Sequence, residues 1–566
     1  MDRAVVFLCR CFGAIDRIID FGFLEKRLIL DPAVSSTVVV DSLCLDDSIK
    51  KAASLIKAGD ADKVLIAACS SLARGDQLIG ALGKEGVERS RVHLVDIREG
   101  CAWIHGDRSE EASRKAESLI HMGLASLRHK RKSDDVSVKI SPEALIIGAG
   151  PAGLASATSL AGAGFTVHVL ERSAVAGGML RLVARAYPGD SDPSEKLKPY
   201  LEALENNSSI TFYPRAKLSS VTGYAGSFKV LFTSEGQDHY IRPGAIIVAT
   251  GSRMLLPHGL YDYGETKNVI TQMELETRFK KGQVETGSAV FIQCVGARCP
   301  ERPYCSTICC PTSIKNAMRL REENPRAGVF ILHRDVMTPG SVLEAYYRRA
   351  LSEGIQFIRF DENNPPSIRG EDHVEAVEVY DTLTGITRTI SVDLAVLSTP
   401  LVPNDDSGKL AEMLGIGLDR SGFFQDIYPL HPLETWMEGI YICGSARWPV
   451  ASGQAIAQGE GAAMKAITLL RKGYVAASSF SRVPGLKFGN ARVDTNSCTG
   501  CGNCVTVCPF EACRLQRVDG KYPYVSRVNK MRCRACGSCV SVCPNGSMQV
   551  PEYHYRSVCG MIEKAY

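Results

Sequence analysis

The sequence predicts an α/β protein with a small α/β domain at the N-terminus, two dinucleotide-binding modules in the middle and a compact cysteine-rich domain at the C-terminus. Three observations predict this class: short apolar strands alternate with helical stretches, a glycine-rich turn follows one strand, and two matched cysteine runs stand near the C-terminus. These patterns place the N-terminal domain at 1–130, the first half of one dinucleotide-binding domain at 141–280, a second module at 281–398, the second half of the first domain at 399–473 and the cysteine-rich domain at 491–556, with linkers at 128–141 and 473–490.

The composition is that of an ordinary globular protein with several domains: 566 residues, 45% hydrophobic and 23% charged. The net charge of +4 gives no indication of nucleic-acid binding. No apolar run reaches the roughly 18 residues that a membrane span needs, and the first residues lack the pattern of a secretory leader. Because most of the 21 cysteines stand in metal-ligand spacings, we expect a reducing cytoplasm with little oxygen.

The N-terminal domain is predicted to contain parallel strands followed by cysteines. Because the carboxyl ends of parallel strands meet at one edge of a sheet, these thiols could converge on a metal site. Buried cysteines are often inert small hydrophobes, and the sequence leaves that alternative open. The predicted strands are Ala4–Leu8, Val38–Val40, Val64–Ala68 and Val92–Val95, and the thiols are Cys9, Cys11, Cys44, Cys69 and Cys101.

A dinucleotide fingerprint opens the second domain, where a strand from Ala144 runs into Gly148, Gly150 and Gly153 and then into an alanine-rich helix. The first glycine makes the tight turn, the second lets a pyrophosphate approach the backbone, and the third lets the helix pack closely on the sheet. The phosphates would lie over the helix N-terminus at Pro151 and Ala152.

Later motifs, at Gly177-Gly178, Ile246–Gly251 and Gly439–Gly444, resemble those of FAD-binding proteins of the pyridine nucleotide-disulfide oxidoreductase type, which implies that the dinucleotide is FAD. A carboxylate at Glu171 follows the next strand, where it can bond the ribose hydroxyls. The last motif ends in Gly444-Ser445 where such proteins commonly have Gly-Asp, so backbone N–H groups must carry more of the binding there. The remaining predicted cofactor-binding residues are Arg172, Gly177, Gly178, Ala249, Thr250, Gly251 and Gln454.

The middle of the chain has cysteines where a second glycine fingerprint, for NAD(P)H, is expected. A strand, Ala289–Gln293, runs directly into a thiol-rich turn. Four thiolates suit a [4Fe–4S] cluster or zinc, and the neighbouring cluster motifs favour iron. The predicted ligands are Cys294, Cys305, Cys309 and Cys310, and Cys299 has no assigned role.

The C-terminal domain repeats the spacing Cys-x2-Cys-x2-Cys-x3-Cys-Pro, which is typical of a two-cluster bacterial ferredoxin. In such a domain three cysteines of each run hold one [4Fe–4S] cluster and the fourth crosses to the other cluster. A zinc ribbon, the main alternative, prefers two separated pairs. Cluster one would take Cys498, Cys501, Cys504 and Cys543, and cluster two Cys533, Cys536, Cys539 and Cys508, whereas Cys513 and Cys559 have no assigned role.

Taken together, these motifs resemble the HdrA-like family of heterodisulfide reductase electron-transfer proteins over nearly the whole chain. The segments that carry the resemblance are 6–11, 67–70, 96–105, 294–310 and 314–317. The resemblance implies a thioredoxin reductase-like flavoprotein core and an N-terminal [4Fe–4S] cluster, without deciding which four of the five N-terminal thiols bind it. It also implies that Lys315 lies close to the reactive edge of the flavin and acts in catalysis.

The function implied by this resemblance is that of an FAD- and [4Fe–4S]-containing electron-transfer subunit, bifurcating or confurcating, in a multi-subunit anaerobic complex. We expect one FAD and about four clusters, partner subunits of that complex, a ferredoxin or similar electron carrier, and a homodimer within the complex. Longer family members carry an inserted ferredoxin domain that this chain lacks, since no cysteine stands between Cys101 and Cys294.

Three alternatives remain at this point. One is a non-bifurcating module of a quinone-linked or benzoyl-CoA reductase-type complex. A second is a stand-alone NAD(P)H:acceptor flavoenzyme, for which the sequence lacks a nicotinamide motif. The third is a non-catalytic scaffold for clusters, with a vestigial FAD site.

Overall fold

The computed structural model describes residues 3–58, 62–107, 110–129, 136–284, 286–476, 489–550 and 555–565. The chain forms two compact units, one of residues 1–137 together with 476–566 and the other of residues 138–475. The central parts of the two predicted linkers, 130–135 and 477–488, lie outside the described residues. Short strands, Ser137–Lys139 and Tyr474–Ala476, stand where the chain passes between the units.

The N-terminal part of the first unit is a parallel four-stranded sheet with a hydrophobic core on each face. Alternate residues of the first strand supply the two cores: Val6 and Leu8 pack on one face, Val5 and Phe7 on the other. The strands, in spatial order, are Val34–Val40, Ala4–Cys9, Lys63–Ala68 and Val92–Asp96. The helices and turns are Phe21–Leu28, Asp46–Lys57, Ser71–Gly75, Asp76–Lys84, Arg89–Arg91, Arg98–Ala102, Trp103–His105 and Glu110–His129.

The C-terminal part of the same unit consists of two antiparallel strand pairs and short helices around the cysteine runs. Its last helix packs against the long helix Glu110–His129, where Gly560 faces Ala125. The paired strands are Arg492–Val493 with Met548–Gln549 and Cys513–Arg517 with Tyr524–Val528. The helices are Asn503–Val507, Ser538–Ser541 and Tyr555–Ala565.

The second unit contains two parallel five-stranded sheets, which is the predicted arrangement of two dinucleotide-binding modules. Helix Pro151–Gly162 follows the first strand of the first sheet, and Pro151 starts it because a proline at this position loses no intrahelical hydrogen bond. The first sheet has the order Ile440–Ile442, Ala245–Val248, Glu143–Ile147, Thr166–Leu170 and Ile210–Tyr213. The other helices and turns of this module are Gly178–Leu182, Pro193–Asn206, Ser407–Leu414, Gly444–Ala446 and Ser452–Leu470.

The second module repeats the plan, with helices that begin close to the carboxyl ends of its strands. A reciprocal capping box between Thr271 and Glu274 fixes the start of helix Gln272–Lys280. The second sheet has the order Val269–Thr271, Leu394–Leu397, Ser288–Ile292, Gly328–His333 and Gln356–Arg359. Its other helices are Cys309–Glu323 and Ser341–Ser352.

Small antiparallel sheets complete each module. The first module carries the strands Lys217–Tyr224, Ser227–Ser234 and Gln237–Ile241. The second carries Ser367–Arg369, Ala376–Asp381 and Ile386–Ser391, and a ribbon pairs Arg253–Met254 with Leu401–Val402. In the ranges described, no helix is long and apolar enough to cross a membrane.

Candidate functional site

A cavity of about 890 Å³ opens in the second unit and is lined by most of the predicted cofactor residues. This volume lies within the usual range for pockets that hold a cofactor or small ligand. The predicted residues at its wall are Gly148, Gly150, Pro151, Ala152, Glu171, Arg172, Gly178, Ala249, Thr250, Gly251, Gly444, Ser445, Cys309 and Lys315. Gly153, Gly177 and Gln454 are not part of the lining.

The three fingerprint glycines differ in the space around them. A Cβ on Gly148 would lie 2.4 Å from the Ala249 carbonyl oxygen, and one on Gly153 would lie 1.9 Å from the Gly148 carbonyl oxygen. Both glycines are therefore required by the protein's own packing. A Cβ on Gly150 would meet no protein atom within 4 Å, so the space in front of it is free for a ligand.

Glu171 is buried at the cavity wall and braces the glycine turn. Its carboxylate accepts hydrogen bonds from the backbone N–H of Ala149 and of Ser173, each at 2.8 Å. A carboxylate has about four lone-pair sites, so these bonds leave acceptor capacity for ribose hydroxyls. Asn404, which the sequence did not single out, donates to the carbonyl oxygens of Thr250 and Gly251 at 3.1 and 3.2 Å.

Three hydroxyl groups at the cavity wall fit a polar ligand. The Oγ atoms of Thr250, Ser252 and Thr399 are buried and have no hydrogen-bond partner within the described ranges. Buried polar groups are almost always paired in folded proteins. Together with the open space at Gly150, these hydroxyls fit the phosphates and ribityl hydroxyls of an FAD molecule.

The start of helix Ser452–Leu470 also faces the cavity, through Ala451 and Ser452. The N–H of Gly444 donates to Gln458 Oε1 at 3.0 Å, which ties this helix to the last cofactor motif. Gln454, which was predicted to contact the cofactor, is exposed and lies outside the lining. A helix N-terminus at this wall would stabilise negative charge on a bound cofactor.

Lys315 reaches the cavity from the second module and forms a buried ion pair with Glu276. The lysine Nζ also donates to the Arg185 carbonyl oxygen at 2.8 Å, and the glutamate accepts from the Ala184 N–H at 2.8 Å. Burial lowers the pKa of Lys315, and the charge of Glu276 opposes that shift. The pair is 39 residues apart in sequence, so no local pattern could have identified Glu276.

A buried polar network positions the helix that carries Lys315. Gln272 Nε2 donates to the hydroxyls of Ser313 and Ser398, each at 2.7 Å, and Gln293 Nε2 donates to Ser313 at 2.6 Å. These bonds hold helix Cys309–Glu323 against the ends of the neighbouring strands. They therefore fix the position of Cys309 at the cavity wall.

The four mid-chain thiols lie together, and the fifth cysteine of this segment stands apart. Burial raises the pKa of Cys309 well above its usual value, and the charges of the other three thiols raise it further. Burial also raises the pKa of Cys310 to about 12. The mid-chain thiol group is Cys294, Cys305, Cys309 and Cys310. Cys299 instead belongs to a turn in which its backbone bonds to that of Arg302.

Four of the five N-terminal thiols gather at the carboxyl edge of the four-stranded N-terminal sheet. Burial raises the pKa of Cys9, with smaller contributions in the same direction from Cys11 and Cys44. Burial raises the pKa of Cys69 as well; the charge of Arg98 opposes it and Cys44 adds to it. We call Cys9, Cys11, Cys44 and Cys69 the N-terminal thiol group.

Cys101 lies apart from this group. It is fully buried in the core on the face of the sheet that includes Val6 and Leu8, whereas Cys9 and Cys69 pack on the opposite face. Its Sγ donates to the Ala112 carbonyl oxygen at 3.3 Å. The geometry therefore favours a packing role for Cys101.

The four cysteines predicted for cluster one lie together, and three of the four predicted for cluster two lie near one another. A small cavity is lined by Cys498, Cys501, Cys504 and Cys543, the four residues predicted for cluster one. For cluster two, burial raises the pKa of Cys533, and the nearby Cys539 and Cys508 raise it further.

Backbone N–H groups surround these sulfur atoms. The N–H of Ser526 donates to Cys498 Sγ at 3.4 Å, and the N–H of Ala512 donates to Cys508 Sγ at 3.3 Å. Such donors stabilise the negative charge of cluster thiolates. Cys513, which the spacing left without a role, lies beside Cys539, and this contact raises the pKa of the Cys513 thiol.

At these thiol groups the structure places the cysteine side chains near one another. Among the residues described, no three or more His, Cys, Asp or Glu side chains form a ready metal-binding shell. Four thiols of the right chemistry nevertheless face one another at the mid-chain site, and the same donor type recurs in the other sets.

Two family models match the chain. A model described as "Pyridine nucleotide-disulphide oxidoreductase" matches residues 142–293, which include the glycine fingerprint and the strand before Cys294. A model described as "4Fe-4S dicluster domain" matches residues 497–548, which include both C-terminal cysteine runs.

Curated relatives match nearly the whole chain, and each is named as the A-type component of a heterodisulfide reductase. One is an iron–sulfur component of the CoB–CoM heterodisulfide reductase of Methanopyrus kandleri, at 29% identity over 92% of this chain and 91% of the relative. Another belongs to the H(2)/formate:CoB-CoM heterodisulfide,ferredoxin reductase of Methanococcus maripaludis, at 29% identity over 99% and 97%. The first alignment spans 624 positions although this chain has 566 residues, so the relative has segments without a counterpart here.

Solved structures similar to this chain include thioredoxin reductases. That of Lactococcus lactis has a TM-score of 0.42 and 21% identity, and the match covers 58% of this chain and 99% of that one. The enzyme of T. acidophilum has a TM-score of 0.40 and 21% identity, over 59% and 99%.

Proposed function

Because this chain belongs to the HdrA-like family of heterodisulfide reductase proteins, we propose that it transfers electrons between FAD and [4Fe–4S] clusters within a complex of that type. The chain is an iron–sulfur flavoprotein component of an oxidoreductase. When bound, FAD would exchange electrons in pairs and each cluster would carry one electron at a time. The protein's own residues bind these groups, orient them and keep water away from them.

One observation supports this proposal most directly: Cys309 belongs to the mid-chain thiol group and also lines the FAD cavity. A cluster held by that group would stand beside the flavin without an intervening layer of protein. At the position where a nicotinamide-binding turn is expected, the chain thus has thiols that could hold a one-electron carrier, the proposed mid-chain cluster. This arrangement argues against the stand-alone NAD(P)H enzyme.

Further cofactor assignments follow from the thiol groups. We assign one cluster to the N-terminal thiol group, one to the mid-chain thiol group and two to the C-terminal runs, with Cys101 left out. A chain loaded in this way would carry about sixteen iron atoms, because each cluster contains four.

Lys315 would act at the flavin edge as a fixed cation. Its burial alone would favour the neutral amine, and Glu276 keeps the charged form available. A positive charge at this wall stabilises negative charge on a reduced cofactor. The Lys315–Glu276 pair would therefore affect the reduction potentials of the two one-electron steps of the flavin.

Iron, sulfide and flavin counts on anaerobically purified protein test the cofactor assignments. The parent chain should contain one FAD and about sixteen iron atoms. Cys309→Ser should lose about four of these iron atoms and keep its FAD. The matched variant Cys299→Ser should keep all of them, since Cys299 lies outside the mid-chain thiol group. Equal iron in the Cys309→Ser variant and the parent would contradict the mid-chain assignment.

We further propose that the chain is the bifurcating or confurcating component of its complex. The second candidate is a non-bifurcating module, favoured by the missing insertion: the chain has no cysteine between Cys101 and Cys294, and relatives contain unmatched segments. The two one-electron potentials of the bound flavin separate the candidates. A second electron that leaves at a much lower potential than the first supports bifurcation, and the reverse order supports the simpler module.

The expected partners are the other subunits of the complex, a ferredoxin-like carrier and a second copy of this chain. The name of the Methanococcus maripaludis relative includes ferredoxin, which supports the carrier for this chain. Light scattering on the purified protein tests the homodimer, and anaerobic pull-down with a reduced ferredoxin tests the carrier.

A further inference from the structure

Arg98 lies beside the N-terminal thiol group and contacts one of its sulfur atoms. Its Nη1 donates to Cys11 Sγ at 3.0 Å, and its Nη2 pairs with Glu99 at 2.6 Å. The arginine side chain is only 18% exposed. Charged side chains are seldom so sheltered unless they are paired, and here one of the partners is a thiol.

The backbone that carries Arg98 is a π-helical turn, Arg98–Ala102, which begins one residue after the strand Val92–Asp96. The Asp96 carboxylate fixes this turn by accepting from the N–H groups of Arg98, Glu99 and Gly100 at 3.1, 2.9 and 3.0 Å. Such turns are rare and often mark functional sites. The turn therefore aims the guanidinium at the thiols.

Two further contacts hold the guanidinium in place. Glu99, its ion-pair partner, accepts from the Ser70 N–H at 2.8 Å and so connects Arg98 to the loop that follows Cys69. The Trp103 ring lies 4.8 Å from the guanidinium carbon, within range of a cation–π interaction. The side chain is thus restrained by the thiol loop, by its own turn and by an aromatic ring.

A hydrogen bond to a cluster thiolate stabilises the more negative, reduced state and raises the reduction potential. A fixed positive charge at hydrogen-bond distance acts in the same direction. Reduction adds one electron and changes no bond to Arg98. The residue therefore affects the potential of the couple and takes no part in the chemistry.

We propose that Arg98 is a positioning residue that raises the reduction potential of the N-terminal cluster through its hydrogen bond to Cys11. The inference rests on the proposed function, because it requires a cluster at the N-terminal thiol group. In this proposal Cys11 is the cluster ligand whose sulfur accepts the hydrogen bond from the charged guanidinium of Arg98. With this hydrogen bond the cluster accepts an electron more readily than it would with the same four ligands and no Arg98.

The test is a dithionite redox titration of the full chain, loaded with clusters and followed by low-temperature EPR. Cys44→Ser identifies the N-terminal cluster, because its signal and about four iron atoms should be missing from that variant. Arg98→Gln removes the charge and the donor that faces sulfur. Arg98→Lys keeps the charge but lacks the planar fork that bonds Cys11 and Glu99 together.

We expect Arg98→Gln to shift the reduction equilibrium of this cluster about tenfold toward the oxidised state, which corresponds to about 59 mV for a one-electron couple. Arg98→Lys should give a smaller shift in the same direction. The matched control is Arg10→Gln, since Arg10 stands between Cys9 and Cys11 in sequence but is half exposed and pairs with Asp16 and Asp41. The N-terminal cluster of the Arg10→Gln variant should have the same reduction potential as that of the parent.

Three outcomes would overturn the proposal. The first is a cluster that keeps its parent potential in both Arg98 variants. The second is an equal shift in Arg10→Gln, which would indicate a general effect of charge. The third is loss of the cluster from both Arg98 variants, which would make Arg98 a folding residue of the ligand loop. Full iron content in Cys44→Ser would instead contradict the N-terminal cluster itself.

Discussion

At the scale of single residues, side chains that are distant in sequence determine the chemistry of the cavity. Lys315 and Glu276 form an ion pair in which both side chains are almost fully buried. Removing one member of such a pair leaves an uncompensated charge, which is more costly than replacing both members with apolar groups. The pair is therefore the most sensitive point of the cavity wall.

Glu276→Gln should destabilise the second unit by about 3–5 kcal/mol. The pKa of Lys315 is already lowered by burial, and the variant lowers it further. A lysine with a lowered pKa binds fewer protons in the folded than in the unfolded state, so the destabilisation should decrease as pH rises toward 10.5, its ordinary value. Urea titrations at two pH values, followed by the fluorescence of released flavin, measure this.

The control is the double variant Glu276→Gln with Lys315→Met, which removes both charges. It should recover much of the lost stability and lose the pH dependence. A pH-independent loss in the single variant would show that Lys315 is not the titrating group.

Cys513 provides a second prediction at this scale. Its thiol lies beside that of Cys539, which raises the pKa of Cys513, but Cys513 does not belong to either predicted ligand set. Cys513→Ala should therefore keep the full iron content, whereas the matched variant Cys539→Ala should lose about four iron atoms. Equal iron loss in both variants would instead make Cys513 a ligand.

At the scale of elements, the strand–turn–helix at the fingerprint separates two requirements on glycine. Gly153 is needed because the helix packs against the turn, and Gly150 faces open space that only a ligand would fill. A third glycine, Gly162 at the end of this helix, would place its Cβ within 4 Å of no atom and is not part of the cavity lining. A substitution at Gly153 therefore tests packing, one at Gly150 tests ligand binding, and one at Gly162 tests helix propensity.

We expect Gly153→Ala to lower stability by about 1–3 kcal/mol because its Cβ would collide with the turn. Gly150→Ala should fold normally and bind FAD more weakly, because its Cβ takes space next to the phosphates. Gly162→Ala, the control, should be neutral or stabilising by up to about 1 kcal/mol. Melting curves and flavin-binding titrations measure these effects, and normal flavin binding by Gly150→Ala would contradict the phosphate position.

Local patterns in the sequence were sufficient for the strands, the glycine turn and the cysteine runs, because each depends on residues that are close together in the chain. The predicted strand Ala4–Leu8 is present as Ala4–Cys9. Contacts between distant segments could not be predicted in this way. Glu276 and Asn404 at the cavity wall, and the placement of Cys101 on the opposite face of the sheet, depend on which segments the fold brings together.

At the scale of the whole molecule, the chain ends belong to one compact unit and the flavin modules to another. The sequence suggested separate N-terminal and C-terminal domains, because nothing local connects them. In the structure the last helix, Tyr555–Ala565, packs against helix Glu110–His129. This contact joins the N-terminal thiol group and the ferredoxin-like part within a single unit.

Gly560→Leu should disrupt this helix contact. A Cβ at Gly560 would already lie 3.6 Å from the Ala125 Cβ, so a larger side chain does not fit and should cost about 1–3 kcal/mol. Limited proteolysis should then release the last helix more readily. Ile562→Gln, at an exposed position of the same helix, is the control and should behave like the parent. Unchanged proteolysis of Gly560→Leu would contradict the packing.

The transfer of electrons between the flavin and the mid-chain cluster is tested most directly by anaerobic photoreduction of the loaded chain, with flavin absorbance and cluster EPR recorded together. In the parent and in Cys299→Ser, cluster signals should rise as the flavin is bleached. In Cys309→Ser the flavin should bleach while the signals of the remaining clusters rise more slowly. Equal rates in Cys309→Ser and the parent would show that electrons leave the flavin by another route.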